Sequence, residues 1–424
     1  MPHPDYERVA RHITADACRR TLTEMVDIAS PTGRETDLAR YCVERLSSSG
    51  FAAYLQEVEP GRANAVASRR GSGDGCNLLF TGHMDTSYDG DEPQYQGEGY
   101  KAKAVYRDGW IWGLGANNMK SGLASAMVAL EAIAREDIGL KGDLVYGAVV
   151  GETEKAAVDE YRGPHTSGYG IGSRYLVTHG VTADYAILCE PTGLRVCTAN
   201  MGVVWMKITL RGTISHSALS GKPGVVNAID EMHALQAQLR SWIKTYEASR
   251  EYLGERPNVT IAAIRGGMPW RLSRNPYECS LYLDVRTVPG QTAEEVKRSL
   301  RAELRAFAQE RRCEEPSLEL FVTDPPTALD ANAPLTQFMK DAHRRVTGHD
   351  SPLIMRRTGA DSTHFTRYDV PCICYGPGGI THPDLKGALM HAVGEHASVD
   401  ALVIAAKVYL EAALSICSAK PPTA

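Results

Sequence analysis

Apolar residues recur at helical spacing from residue 9 to 28 and stop at Ser30-Pro31-Thr32-Gly33, which predicts a helix ended by turn formers. Residues 35–46 repeat that period, and Ser49-Gly50 closes it. The run Asn77-Leu78-Leu79-Phe80 predicts a short strand ending near Gly82, and the Ala-rich stretch 123–135 predicts a helix. Residues 144–150 contain no polar break, the pattern of a strand covered on both faces in a parallel sheet. Residues 185–189 predict another strand. Strands alternating with helices in this way imply an α/β sheet with helices on both faces.

The middle of the chain changes character. Residues 203–210 alternate like a half-exposed strand, and 225–246 read as a helix. Strands follow at 258–264 and 278–285, then a charged amphipathic helix at 293–309 and a strand at 317–322. The order β-α-β-β-α-β is the ferredoxin-like pattern. A helix at 334–346, a strand at 371–375 and a helix at 399–416 then resume the first pattern. The expected architecture is therefore α/β: a mixed-sheet domain made of residues 1–200 and 315–424, interrupted by an inserted ferredoxin-like α+β domain at 201–314.

Charge narrows the partners. Lys and Arg number 46 against 51 Asp and Glu, so the chain lacks the basic excess of a nucleic-acid binder. No apolar run is read as reaching the ~18–20 residues of a membrane span. The start, Met1 to Ile13, lacks the apolar core of a signal peptide, and a cytoplasmic protein is expected. The ten cysteines form no C-x-x-C pair, so buried free thiols are expected, Cys372 and Cys374 within a strand among them.

Chemistry gathers where strands end, the usual place for a site on an open α/β sheet. His83 and Asp85 follow the first apolar strand; Glu152, Thr153 and Glu154 follow the second; Glu190 follows the third; His391 precedes the last helix. A loop between residues 113 and 122 carries Asn117, Asn118 and Lys120, with glycines that permit a tight turn. His83, Glu154, Glu190 and His391 offer imidazole nitrogens and carboxylate oxygens, a set suited to Zn, Mn or Co.

Ser30-Pro31-Thr32-Gly33-Arg34-Glu35, Gly82-His83-Met84-Asp85, Met119-Lys120-Ser121-Gly122, Glu190-Pro191-Thr192, Gly376-Pro377-Gly378 and His391 together resemble the landmarks of one family. It is the co-catalytic metallopeptidase family of aminoacylases, carboxypeptidase G, acetylornithine deacetylase and succinyl-diaminopimelate desuccinylase. Gly212 to Ser217, Pro223-Gly224 and Asn227-Ala228-Ile229 match it in the middle segment. The resemblance implies a metallohydrolase catalytic domain with an inserted lid through which the protein forms a homodimer or larger homo-oligomer. It implies His83 and Glu190 as ligands of one metal, His391 as a ligand of another, Asp85 as the residue orienting His83, and His216 as a lid histidine that stabilises an oxyanion in the partner's site.

Departures from the family pattern shape the expected chemistry. Asn118 stands where the resemblance implies a bridging Asp, so one tightly held Mn or Zn is favoured over two. The expected pair of adjacent glutamates reads Glu152-Thr153-Glu154, with Glu152 favoured as general base and Glu154 near the metal. Trp270 and Arg271 replace the usual lid Asn region and, with Arg286, are candidate contacts for a small carboxylate-bearing aromatic substrate. These departures resemble the family member that deaminates 5-nitroanthranilate to 5-nitrosalicylate and ammonia, which is the leading expectation for the reaction. An N-acyl-amino-acid amidohydrolase is the alternative, and a non-catalytic binding protein on the same fold is a third reading.

Overall fold

The computed structural model describes residues 3–153, 156–161, 168–388 and 393–421. Its contacts divide the chain into two compact units, one of Met1–Thr198, Leu329–Ile354 and Ala360–Ala424, the other of Ala199–Ala328 with Met355–Gly359. The inserted segment therefore runs to Ala328 rather than to 314. The reason is the strand Ser317–Asp324, which pairs along Gly202–Arg211.

In the first unit, Leu144–Val149, Leu78–His83, Tyr185–Leu188 and Cys372–Cys374 lie side by side as parallel strands. Alternate residues feed opposite faces. Leu78, Phe80 and Tyr146 pack into one apolar cluster with the long helices, whereas Leu79, Val145 and Leu188 pack into another with Leu176 and Phe365. Both faces are covered, as the unbroken apolar strands require.

The antiparallel hairpin Ala52–Glu59 and Arg62–Arg69 extends this sheet beside Leu144–Val149 and was not expected. Its buried positions include Gln56, Arg62 and Asn64, so no apolar alternation marks it. Each polar group is matched instead. The Arg62 guanidinium binds Glu35 at 2.6 Å, and the Asn64 amide donates to Gln56 and to the Gly172 carbonyl. The helix expected at 9–28 is two helices, Tyr6–Ala10 and Ala15–Asp27, because the Thr14 hydroxyl starts a new helix by accepting from the Ala17 N–H. The Ile171–Thr178 helix was also not expected.

Two helices press on the strand ends that matter below. Ser121–Arg135 comes so close that a Cβ on Gly122 would stand 1.8 Å from the Cys189 carbonyl oxygen. Val399–Ser418 is long and apolar enough to cross a membrane by length and composition, contrary to the expectation that no such run exists. It packs against the Ser121–Arg135 helix, with residues such as Leu402, Tyr409 and Leu414 fully buried, and so serves as a core helix. All ten cysteines are free thiols, and nine are buried.

The second unit is a four-stranded antiparallel sheet in the order Asn258–Gly266, Glu278–Thr287, Gly202–Arg211, Ser317–Asp324. Helices Ala228–Glu247 and Ala293–Arg311 cover it through a separate apolar core that includes Leu235, Leu239, Leu300 and Leu304. The first begins at Ala228 rather than 225 because the Asn227 side chain caps it. The chain order is the ferredoxin-like one expected.

Candidate metal centre

Three neighbouring parallel strands deliver the polar groups. His83 ends the middle strand and lies opposite Val149 in the register, so the chain leaving Val149 brings Glu152 to one side of it. Thr81 lies opposite Leu188, so the next strand brings Glu190 to the other side. Ligand atoms of His83, Glu152 and Glu190 all fall within 4.8 Å of one another. Asn118, from the loop before the Ser121–Arg135 helix, adds an amide oxygen.

The distances from His83 Nε2 are 3.3 Å to Asn118 Oδ1, 3.5 Å to Glu152 Oε2 and 3.8 Å to Glu190 Oε1. Donors arranged tetrahedrally at about 2.1 Å from a cation stand ~3.4 Å apart, so this spacing suits one ion. The other ring nitrogen is committed. His83 Nδ1 donates to the Asp85 main-chain carbonyl at 2.9 Å, which leaves Nε2 with its lone pair toward the acidic group.

The electrostatics also call for a cation. His83, Asp85 and Glu190 are essentially inaccessible, and Glu152 is nearly so. Burial opposes the charged form of His83, but Glu152, Asp85 and Glu190 outweigh it and raise the imidazole pKa well above its usual value. Burial raises the Glu152 pKa well above the carboxylate range, and Glu190, Asp361 and Asp85 add to the rise. Asp361 is pushed up to about 7 by burial, reinforced by Glu190 and Asp85. Asp85 goes the other way. Burial works against its charge, but His83, Thr153 and the Glu152 N–H hold its carboxyl far down. One imidazole among four carboxyl groups, those of Asp85, Glu190 and Asp361 buried and that of Glu152 nearly so, is a donor set that a divalent cation satisfies.

The loop bearing Asn118 is held from beneath. The Glu395 carboxylate accepts the Asn117 and Asn118 N–H groups at 3.1 and 2.9 Å, and Gly379 donates to the Asn117 side chain at 2.7 Å. The buried Lys120 ammonium donates to the Met25 and Ile28 carbonyls, and burial lowers its pKa to about 7.

The expected site residues thus fall into three sets. His83, Asp85, Asn118, Glu152 and Glu190 come together. Glu154 and His391 lie outside the described residues. His216, Trp270, Arg271 and Arg286 belong to the second unit. There, His216 is exposed and its Nδ1 accepts the Ala218 N–H at 3.1 Å. Trp270 is 81% exposed, Arg271 is exposed too, and Arg286 pairs with Asp284 at 2.8 Å. Asp361 was missed. It begins the short Ser362–Thr366 helix and accepts from the Ser173 hydroxyl at 2.6 Å. Its only signal was an acid before a Ser-Thr pair, with no long apolar strand ahead of it.

The profile of peptidase family M20/M25/M40 matches residues 79–415. The N-formyl-4-amino-5-aminomethyl-2-methylpyrimidine deformylase of Bacillus subtilis (strain 168) is 24% identical over 430 residues, covering 95% of this chain and 94% of that protein. The acetylornithine deacetylase of Myxococcus xanthus is 25% identical over 417 residues, covering 96% and 99%. In three dimensions, a tripeptidase from Staphylococcus aureus shares the fold, with a TM-score of 0.75 at 17% identity over 95% of this chain and 99% of that one. The chain belongs to peptidase family M20/M25/M40 and is a hydrolase of C–N bonds.

Proposed function

We propose that the protein hydrolyses the amide bond of a small N-acyl substrate, using one divalent cation held by His83, Asn118 and Glu190 and Glu152 as the proton acceptor. The observation that carries this reading is the convergence of the Asn118, Glu152 and Glu190 side chains within 3.8 Å of His83 Nε2. Such a cation would polarise the scissile carbonyl and make a water acidic enough to lose its proton at neutral pH. Glu152, whose carboxylate is 3.5 Å from His83 Nε2, takes that proton and returns it to the leaving nitrogen.

A single cation is favoured by the neutral amide of Asn118. Two dications ~4 Å apart repel strongly even in a well-screened site, and an amide adds no charge to offset them. The donor types suit Zn, Mn and Co, so the metal itself is read from the purified protein. The amide reading is preferred to deamination of 5-nitroanthranilate because the relatives above are named as a deformylase and a deacetylase. The test is a panel of N-formyl, N-acetyl and N-succinyl amino acids alongside 5-nitroanthranilate, with each of Zn, Mn and Co. Amine release from an N-acyl compound supports the proposal; ammonia from 5-nitroanthranilate alone replaces it.

We further propose a homodimer through the second unit. Asn258–Gly266 is an edge strand whose last five residues are exposed, and Ile214, Trp270 and Leu272 are each more than three-quarters exposed on the same unit. Edge strands and apolar patches of this kind are usually covered. A second copy fits a chain whose lid match implies self-association. Light scattering of the wild type against a Trp270→Ala/Leu272→Ala variant tests it: a dimer that becomes a monomer is expected, and a monomeric wild type refutes it.

A further inference from the structure

The segment Ser30 to Glu35 and the residue Thr153 have no part in the chemistry above, yet they are built tightly into it. After Val149 the chain leaves the sheet, turns at Gly151 with a φ of 64°, and has no strand partner to fix the backbone of Glu152. What fixes it is Asp85. The Asp85 carboxylate accepts the Glu152 N–H at 3.0 Å on one oxygen. On the other it accepts the Thr153 N–H at 3.0 Å, the Thr153 hydroxyl at 2.5 Å and the Thr32 hydroxyl at 3.0 Å. The two threonine hydroxyls also touch each other. Thr32, Asp85 and Thr153 are all buried.

Thr32 is itself anchored. The Ser30 hydroxyl donates to the Met84 carbonyl, and the Thr86 N–H donates to the Ser30 carbonyl, so this segment runs along the chain just beyond His83. The Gly33 N–H then donates to Glu35, whose carboxylate is gripped by the fully buried Arg62 at 2.6 and 3.0 Å. Hydrogen bonds to an ionised carboxylate are roughly twice as strong as neutral ones, so the Asp85 cluster is a stiff joint.

Asp85 therefore does two different jobs with two different groups. Its main-chain carbonyl orients His83, and its carboxylate holds the turn that carries Glu152. We propose that Thr32 and Thr153 are positioning residues that act through the Asp85 carboxylate to aim Glu152 at the face of His83 where the cation is expected. The inference rests on the metal-hydrolase reading above. It explains why a threonine follows Glu152: a hydroxyl directed at Asp85 locks the turn.

The test uses Thr153→Val, Thr153→Ser, Thr32→Val and Thr32→Ser in the full chain, each checked for folding by circular dichroism. Cobalt(II) alone is the first probe, read by its visible absorption, and turnover of the best N-acyl substrate is the second. Both Val variants should bind cobalt with an altered spectrum and lose ~10- to 100-fold in kcat, with KM within about threefold and the acidic limb of the pH profile displaced. Both Ser variants should restore the spectrum and most of kcat. Folded Val variants with a wild-type spectrum and wild-type kcat would overturn this inference alone. A Ser variant as impaired as its Val counterpart would also overturn it, because the hydroxyl would then not be the cause. A wild type that binds no cobalt would overturn the metal reading, and this inference with it.

Discussion

His83 gives its Nδ1 proton to the main-chain carbonyl of Asp85 at 2.9 Å, while the nearest oxygen of the Asp85 carboxylate stands 3.5 Å away. A substitution of the Asp85 side chain therefore leaves the partner of the histidine in place. Asp85→Asn should lower kcat by ~100-fold through loss of the Glu152 turn, yet weaken metal binding by less than about tenfold. Chelator competition and steady-state kinetics on one preparation measure both. An equal loss of affinity and rate would mean that the carboxylate orients the ring after all.

Removing donors should separate holding a cation from using it. His83→Ala and Glu190→Ala should each purify with almost no bound metal, whereas Glu152→Gln should retain it and lose ~100- to 10,000-fold in kcat. Elemental analysis beside kinetics reads the difference. Metal loss in Glu152→Gln equal to that in Glu190→Ala would make Glu152 a ligand rather than the base.

Stripping the metal should also loosen the fold. Without a cation, Glu152, Glu190 and Asp361 crowd one site, and burial, with the neighbouring carboxylates adding to it, raises the pKa values of Glu152 and Asp361. A ligand at a hundred times its dissociation constant adds about 2.7 kcal/mol to stability, so chelation should lower Tm by several degrees and resupply should restore it. An unchanged Tm on chelation would argue against a resident cation.

Where the site was legible in the sequence, the reason was topological. His83, Glu152 and Glu190 each follow an apolar run, and adjacent parallel strands align their ends. Asp361 stayed hidden because a short turn precedes it, and Thr32 because a threonine in a turn ordinarily serves the turn itself. The hairpin at Arg62 was illegible for another reason: its burial is supported by matched charges and amides, which look like surface residues along the chain. The border set at 314 cut off the strand at 317–322 that the ferredoxin-like order had itself counted, and the second unit runs on to Ala328.

His364, whose Nε2 lies 3.8 Å from Asp361, offers a pH test at the edge of the acidic cluster. Burial, with Arg174 and Arg367 adding to it, depresses its pKa to about 3 from 6.5. The unfolded chain therefore takes up a proton there first, and stability drains away as pH falls below about 6.5 toward 3. His364→Gln should lack that component, so the gap between variant and wild type in urea midpoint should change steadily across this range. A constant gap would show that the ring titrates normally.

Gly122→Ala should be among the costliest small substitutions in the protein. The added methyl meets the Cys189 carbonyl, a backbone atom that cannot swing away, one residue before Glu190. A loss of about 1–3 kcal/mol or more is expected in urea unfolding, with weaker metal binding as the strand end is displaced. Stability within about 0.5 kcal/mol of wild type would mean that helix and strand separate freely.

The insertion of the second unit between Thr198 and Leu329 has a consequence for how the protein is made. His83, Asn118, Glu152 and Glu190 all leave the ribosome before the inserted unit begins. Yet Tyr185–Leu188 lacks its neighbour Cys372–Cys374 until that whole unit and more have been synthesised. A chain halted at Ala328 carries four donors at an open sheet edge, without the Val399–Ser418 helix that covers their strands. Vectorial synthesis thus leaves these strand ends without their full cover until Cys372–Cys374 and Val399–Ser418 have been made, so burial of the finished centre falls late in the life of the nascent chain.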